Sequence, residues 1–562
     1  MKNRIGLFCR VACFALLLAA CSKDDMEEGA KKPEPPVPPP GPVETDTSGD
    51  RFYPRPEVFT TLGLDPDANG ETLLDFSRVG YKWGDEEIPN LPVVRTLEPP
   101  AGDADATALI NGAIAELAAK PLAQRGAILL KAGEYRVAGV IALNASGIVL
   151  RGEGRSETTG TRLVATSTAP GFDASGEPDT FVNVCGTQPR KDLNVPASPN
   201  IADEYVPAGR FWVRLSNASS FAVGDEVVVQ RCVTGDWLDD LGMTSIAGIT
   251  QQWTVALIDY KKMERVVTRI AGDTLWFENP VSICIERKYG GGKVYKYTYS
   301  NGRLSGCGVE NMFLTTTSTS LLNENHRAAA VSVNRAEHCW VRGVDSKRFA
   351  FSGVDIRQYA KNITVEDCRV TEMHAQMKGS RRYPFLIKGQ LSLVKNCYSE
   401  SGRHAVATSS PTTNGPNVFL DCIARECYVD NGPHARLATG TLYDNVRIYR
   451  ATKPLGGQSV TGKWTGALAL IDRYEVGPGH GWAEINGALW NCTTDGNTCV
   501  QRPPVSGNNY SVGCCGTDWE GHVVRTPGKK VSFGIPVTPR SLYETQLELR
   551  RSVQPGGALI LR

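Results

Sequence analysis

Short apolar runs broken by glycine and polar turns fill most of the chain, and long amphipathic stretches are rare. One helical pattern stands out. Asp103–Ala119 carries Leu109, Ile110, Ala113, Ile114 and Leu117 at the spacing of a single buried stripe, so a helix is predicted there, capping the open end of a sheet stack. It runs into short strands between glycines: the run starting at Gly126, then Gly139–Leu143, then Gly147–Leu150. Residues 205–300 differ. FAVGDEVVVQRC, QWTVALIDY, MERVVTRIAGDTLWF and KVYKYTY are longer alternating strands with hairpin-like breaks, which predicts a β-rich insertion. From Ser305 to about Gly516 the short strands return with a repeat: VSVNRAEHCWVRGVDSKRF, NITVEDCRVTEM, LSLVKNCYSES, NVFLDCIAREC, TLYDNVRIY, ALWNCTT and NYSVGCC. A period of roughly 22–32 residues built on short strands predicts a solenoid, each turn laid on the next. A β-sandwich explains the period poorly, because its strands need no aligned Cys and Asn. Ser541–Leu547 reads as a short helix docking near the end, before a tail.

The cysteines refine this picture. Cys307, Cys339, Cys368, Cys397 and Cys422 recur at spacings of 32, 29, 29 and 25, each beside a strand-like run, which suits one internal ladder of small side chains. No tight CxxC pair occurs and the His residues stand at unequal distances from the Cys, so zinc is not expected. With 61 Lys+Arg against 60 Asp+Glu, the chain has no general pull toward nucleic acid. Hydrophobic residues at 41% suffice for a large core.

The N-terminus changes the cell biology. Lys2 and Arg4 precede a short apolar run, Val11–Ala20, which ends Leu18-Ala19-Ala20-Cys21. Those four residues resemble the lipobox of bacterial lipoproteins, which implies lipidation of Cys21. The acidic stretch Ser22–Glu28 resembles the surface-export tag of Bacteroidetes lipoproteins. The expected place is the outer membrane, lipid-anchored and facing outward, with the periplasmic face as the alternative. The expected organisation is a signal peptide at 1–20, an acidic and Pro-rich linker at 21–50, and an N-terminal segment with capping helix at 51–125. First coils follow at 126–204, the β-rich insertion at 205–304, main coils at 305–525 and a C-terminal cap or tail at 526–562.

Asp103–Ala119 with its following strand-and-glycine run, Asp75–Tyr81 (DFSRVGY), His480–Trp482, Ala488–Cys492 and Asn508–Cys514 resemble pieces of secreted, pectate-lyase-like right-handed β-helix proteins. The resemblance covers most of residues 70–550. It implies an all-β, right-handed parallel β-helix acting on polysaccharide. It does not select among lyases, hydrolases, esterases and binders. The acidic cluster that holds calcium in pectate lyases is not recognisable, and nothing in the sequence calls for a cofactor.

Candidate chemistry gathers where the coils are basic. Arg369 to Arg436 contains nine Lys+Arg against five Asp+Glu. His374, His404 and His434 stand thirty apart, which in a regular coil places them on one edge. A basic, His- and Tyr-bearing stripe suits an anionic polysaccharide or oligosaccharide. β-Elimination needs a cation on the uronate carboxylate, a base for the adjacent proton and an acid for the leaving oxygen. His404 or His374 is the expected base, Arg381, Arg382 and Arg403 the clamps, and Tyr383 the donor. Lys378, Lys388, His434 and Arg436 complete the expected subsites, with Glu324 and His326 nearby and Trp237, Trp464 and Trp482 as stacking platforms. Glycoside hydrolysis is the alternative. It needs two carboxylates, and Glu372 with Asp430 is the pair to test. A non-catalytic surface binder is the third reading. Expected partners are the glycan, outer-membrane lipid through Cys21 and glycan uptake proteins, with no nucleic acid.

Overall fold

Left-handed backbone at fixed places in each turn decides how the chain winds. The computed structural model describes residues 56–300 and 302–553, and it is an all-β, right-handed parallel β-helix with a capping helix and an inserted β-rich segment. The expected signal peptide, the expected lipidation of Cys21 and the expected linker at 21–50 fall outside the described residues.

Each full coil presents three parallel faces. On the first face Trp340, Thr364, Leu393, Val418, Leu442, Ala488 and Tyr510 pair in succession. On the second face the register runs Asp345, Arg369, Tyr398, Ile423, Arg447 and Thr493. On the third it runs Val182, Val331, Val354, Phe385 and Val406.

Between the first and second faces one residue per coil takes positive φ: Asn311, Gly343, Asp367, Asn396, Asp421, Asn445, Asn491 and Gly513. Asn, Asp and Gly tolerate this left-handed conformation best, which is why they recur there. The backbone N–H of Asp367 donates to Lys395 of the next coil, that of Asn396 to Leu420, that of Asp421 to Asp444 and that of Asn445 to Trp490. Asp421 is thus a corner residue.

The residue after each corner points into the core, and here the single cysteine ladder resolves into two. Cys368, Cys397, Cys422, Cys492 and Cys514 follow this corner. Cys307 and Cys339 follow Gly306 and His338 at the other end of the first face, also at positive φ. The step of 29 from Cys339 to Cys368 crosses from one ladder to the other, so it matches the coil period only by coincidence. All thirteen cysteines of the described region are free thiols, and eight of them line the main core or its edge as small apolar groups.

The helix Thr107–Ala118 buries Ile110, Ala113, Ile114 and Leu117 against the first coils. The insertion is an antiparallel sheet of six strands between Arg190–Asp192 and Gly292–Tyr299, with its own apolar core. Leu437, Trp482 and Ile485 of the coils enter that core, so the insertion is seated on the solenoid. The DFSRVGY segment lies along the first face, where Leu73, Leu74, Phe76 and Val79 meet Leu393, Val418, Leu442 and Trp490. The C-terminal helix Leu542–Val553 locks it: Gln546 bonds Phe76 N and Leu74 O, and Arg550 bonds Ser77 and the Trp83 carbonyl. The first face is therefore covered, the second is open between its ends, and the third receives the long loops.

Candidate active site

Glu372, Ser401 and Glu426 hold the corner after the second face, each at positive φ. From there the chain reaches the third face in unequal steps. Ser401 to the strand Val406–Thr408 is short, whereas Glu372 to Phe385–Ile387 carries an extra loop. This inequality undoes the even edge expected for the three histidines. His374 stands at the base of the extra loop, His404 just before a third-face strand, and His434 just after the next one, Gly432–Pro433.

Two of the three still converge. The rings of His404 and His434 have centroids 4.2 Å apart, and His480 adds a third imidazole 4.6 Å from His434. Tyr383 stacks on His404 at 5.1 Å and meets His434 edge-on at 5.5 Å. The carboxylate touching this cluster is Asp430, paired with Arg473. His404 Nδ1 donates to the Asp430 carbonyl oxygen at 2.7 Å, with Asp430 Oδ1 3.4 Å away and not hydrogen-bonded. A carbonyl can only accept, so it fixes the proton on Nδ1 and leaves a lone pair on Nε2. Arg403 Nη1 lies 3.5 Å from the Tyr383 phenol oxygen.

Burial sets the charge state. His404 and His434 are pushed well below the usual imidazole range by desolvation, then by Arg403 and Arg473 for His404 and by the neighbouring imidazole for His434. His480 falls to about 3 by burial and by Arg473, Arg436 and Arg403. All three are neutral imidazoles at neutral pH. Burial raises the Tyr383 phenol, which keeps its proton, and raises the Asp430 carboxyl against the pull of Arg473. Five polar atoms here lack a hydrogen-bond partner: His404 Nε2, His434 Nδ1, His480 Nδ1, Asp430 Oδ1 and Arg473 Nε. Orphaned buried groups cost stability, so this cluster is a candidate for a role other than packing.

The other expected site residues are placed differently. Arg381 gives its guanidinium to Glu324, with Nε–Oε1 2.7 Å and Nη2–Oε2 3.2 Å, and lies over Phe172. Lys378 stands 3.7 Å from the same carboxylate. Arg382 is wholly buried and donates to the carbonyls of Ala375, Ser401 and Leu321, so it staples loops together. Neither arginine is free to clamp a substrate. His374 bonds Ser318 Oγ at 3.0 Å and meets His326 at 6.5 Å. Lys388 lies over Phe351, beside Tyr383. Arg436 donates to Pro478 and Gly479, holding the loop that carries His480.

Trp237 and Trp482 are fully buried in the insertion core, with Nε1 of Trp237 on Ser506 and that of Trp482 on the Leu241 carbonyl, so neither is a stacking platform. Trp464 is half-buried, with Arg473 4.9 Å over its ring and Trp519 and His522 at 5.2 and 5.4 Å. The hydrolase pair does not assemble. Glu372 shares its corner position with Glu426, four residues ahead of Asp430, and it pairs with Lys347 and Arg348. Among the described residues no group of three or more His, Cys, Asp and Glu is placed to hold a metal.

Arg473 was not singled out from the sequence, and His480 entered only through the His480–Trp482 resemblance, not as a site residue. The signal for His480 is Gly477-Pro478-Gly479-His480. Gly477 has φ +62°, and a Cβ there would stand 2.5 Å from His480 Nε2. Trp253 of the insertion braces the same loop, donating to the Gly479 carbonyl.

No protein-family model matches the sequence, and no curated protein does. Solved structures with a similar course of the chain include the Gp54 tailspike of Acinetobacter baumannii bacteriophage AP22, in complex with capsular saccharide. It is 12% identical over 74% of this chain and 61% of its own length, with a TM-score of 0.40. The surface adhesin PfbA of Streptococcus pneumoniae is 10% identical over 74% and 77%, with a TM-score of 0.37. The A-module of Azotobacter vinelandii mannuronan C-5 epimerase AlgE6 is 10% identical over 78% and 97%, with a TM-score of 0.33. This chain thus spans about three-fifths of the tailspike.

Proposed function

We propose that this protein is a polysaccharide lyase that cleaves a uronic-acid-containing glycan by β-elimination on the third face. The observation that carries the reading is His404. Its Nδ1 proton is committed to a carbonyl, and its Nε2 lone pair is buried, neutral and unpartnered. In this mechanism Arg403 sits against the uronate carboxylate and makes the adjacent carbon more acidic. His404 Nε2 takes that proton. The electron pair forms a C4–C5 double bond, the C4–O bond breaks, and the Tyr383 phenol delivers its proton to the leaving oxygen. His434 and His480 stand beside His404, Arg473 fixes Asp430, and Trp464 offers a face to the neighbouring sugar.

The test is an ultraviolet assay for unsaturated uronate on a panel of uronic-acid glycans, read beside reducing-end release. Absorbance supports the lyase. Reducing ends without absorbance replace it with a hydrolase, and binding alone with a non-catalytic binder. The proposed location is the cell surface, anchored through Cys21. This rests on the Leu18–Cys21 motif, and loss of labelled palmitate in Cys21→Ala tests it.

A further inference from the structure

The second face carries a different pattern from the third. In its register Arg369, Tyr398, Ile423 and Arg447 stand in one outward column, while Val370, Ser399, Ala424 and Ile448 alternate into the core. Arg425 and Tyr449 stand in the column beside it. Arg369, Arg425 and Arg447 are exposed. Arg369 lies over the Tyr398 ring at 4.8 Å, and Arg425 over Tyr449 at 4.3 Å. A guanidinium held over a phenol ring has its position narrowed while it keeps its charge and donors.

Most carboxylates around these arginines have other partners, while Asp345 stands opposite Arg369 in the register and lies 3.5 Å from Arg155. Glu366 pairs with Lys395 at 2.9 Å, and Asp421 pairs with Arg540. Glu426 accepts from Thr452. Glu400 stands opposite Arg425 in the register but accepts the Tyr398 phenol proton. Arg369, Arg425 and Arg447 form no salt bridge among the described residues; they alternate with two aromatic rings, and with Glu400 and Glu426, over four coils about 4.8 Å apart.

We infer that the second face, through Arg369, Arg425 and Arg447 with Tyr398 and Tyr449, is a binding surface for an extended acidic polysaccharide, separate from the third-face cluster. That its ligand is the polymer also cleaved on the third face rests on the reading above. The binding itself does not. Carboxylate or sulfate groups meet the guanidinium groups, and sugar faces meet the half-buried rings of Tyr398 and Tyr449.

Affinity electrophoresis of the full chain tests this, in gels containing polygalacturonate or alginate, with dextran as the neutral control. The wild type is retarded by at least one acidic polymer, not by dextran, and less so in high salt. Arg369→Ala/Arg425→Ala/Arg447→Ala weakens retention roughly tenfold, as expected for losing three exposed charge contacts. The triple Lys variant, which keeps the charge and loses the fork, falls between. Unchanged thermal melting shows that the variants fold. Equal retention of the triple Ala variant and wild type overturns the inference. So does no retardation in either acidic gel, or equal retardation in dextran. Since retention is read without turnover, absence of elimination leaves this result standing on its own.

Discussion

Two clusters of nearly the same composition lie along the third face. One holds His404, His434, His480, Arg403, Arg473 and Asp430. The other, at the extra loop before Phe385–Ile387, holds His326, His374, Arg381, Arg382 and Glu324. In the second, most polar groups have partners. Glu324 accepts two bonds from Arg381 and one from Gln376 N, Arg382 feeds three carbonyls, and both nitrogens of His326 lie against carbonyl oxygens. In the first, five buried polar atoms lack partners. Residue type does not separate scaffold from site here. Completed hydrogen bonding does. A guanidinium that already holds a carboxylate is a strut, and on the proposed reading an imidazole nitrogen without a protein partner is the group that meets substrate.

That contrast can be broken in order of effect. His404→Ala should remove most turnover, about 10³-fold in kcat as for other general bases, with a smaller loss of stability than any strut variant. Steady-state kinetics beside a urea melt reads both. Arg382→Ala should do the reverse. It leaves three carbonyls without their donor and costs about 3 kcal/mol of unfolding free energy. Turnover per folded molecule should change little. Arg403→Ala should lower kcat/KM about 10²-fold on uronate substrates, with partial recovery in Arg403→Lys. Glu324→Gln should cost about 1–2 kcal/mol through the loss of the Arg381 pairing and leave kcat alone.

Acid sharpens the comparison further. His480 and His374 have folded pKa values of about 3 and 4 against an ordinary 6.5. Both are depressed, so the unfolded chain binds more protons between those values. Their contribution to stability is full above 6.5 and is lost progressively as pH falls toward 4 and 3. The pH–rate profile should likewise show no acid limb near 6.5, since His404 is held well below that value. A limb at 6.5 would place the base elsewhere.

The sequence showed the winding clearly, because a corner needing left-handed backbone writes Asn, Asp or Gly once per coil. It also placed His404, His434, Tyr383 and Arg403 in one basic stretch. It misled where equal spacing was taken for alignment. His374 is thirty residues from His404, yet the loop after Glu372 moves it to another part of its coil. It did not place His480 in the cluster, because the brace from Trp253 crosses 226 residues and leaves no period to read. Trp237 and Trp482 looked like sugar platforms only while the insertion's separate core was out of view.

The stacked thiols have a consequence for how the chain reaches its native state. Cys368, Cys397 and Cys422 become neighbours only when consecutive coils close, and once closed they are out of reach of solvent. Before that moment the same three sulfurs are exposed and free to couple in any order. A molecule that fills its centre with unpaired sulfur is in a race: winding must finish before oxidant arrives, and refolding yield should rise with the reducing power of the buffer.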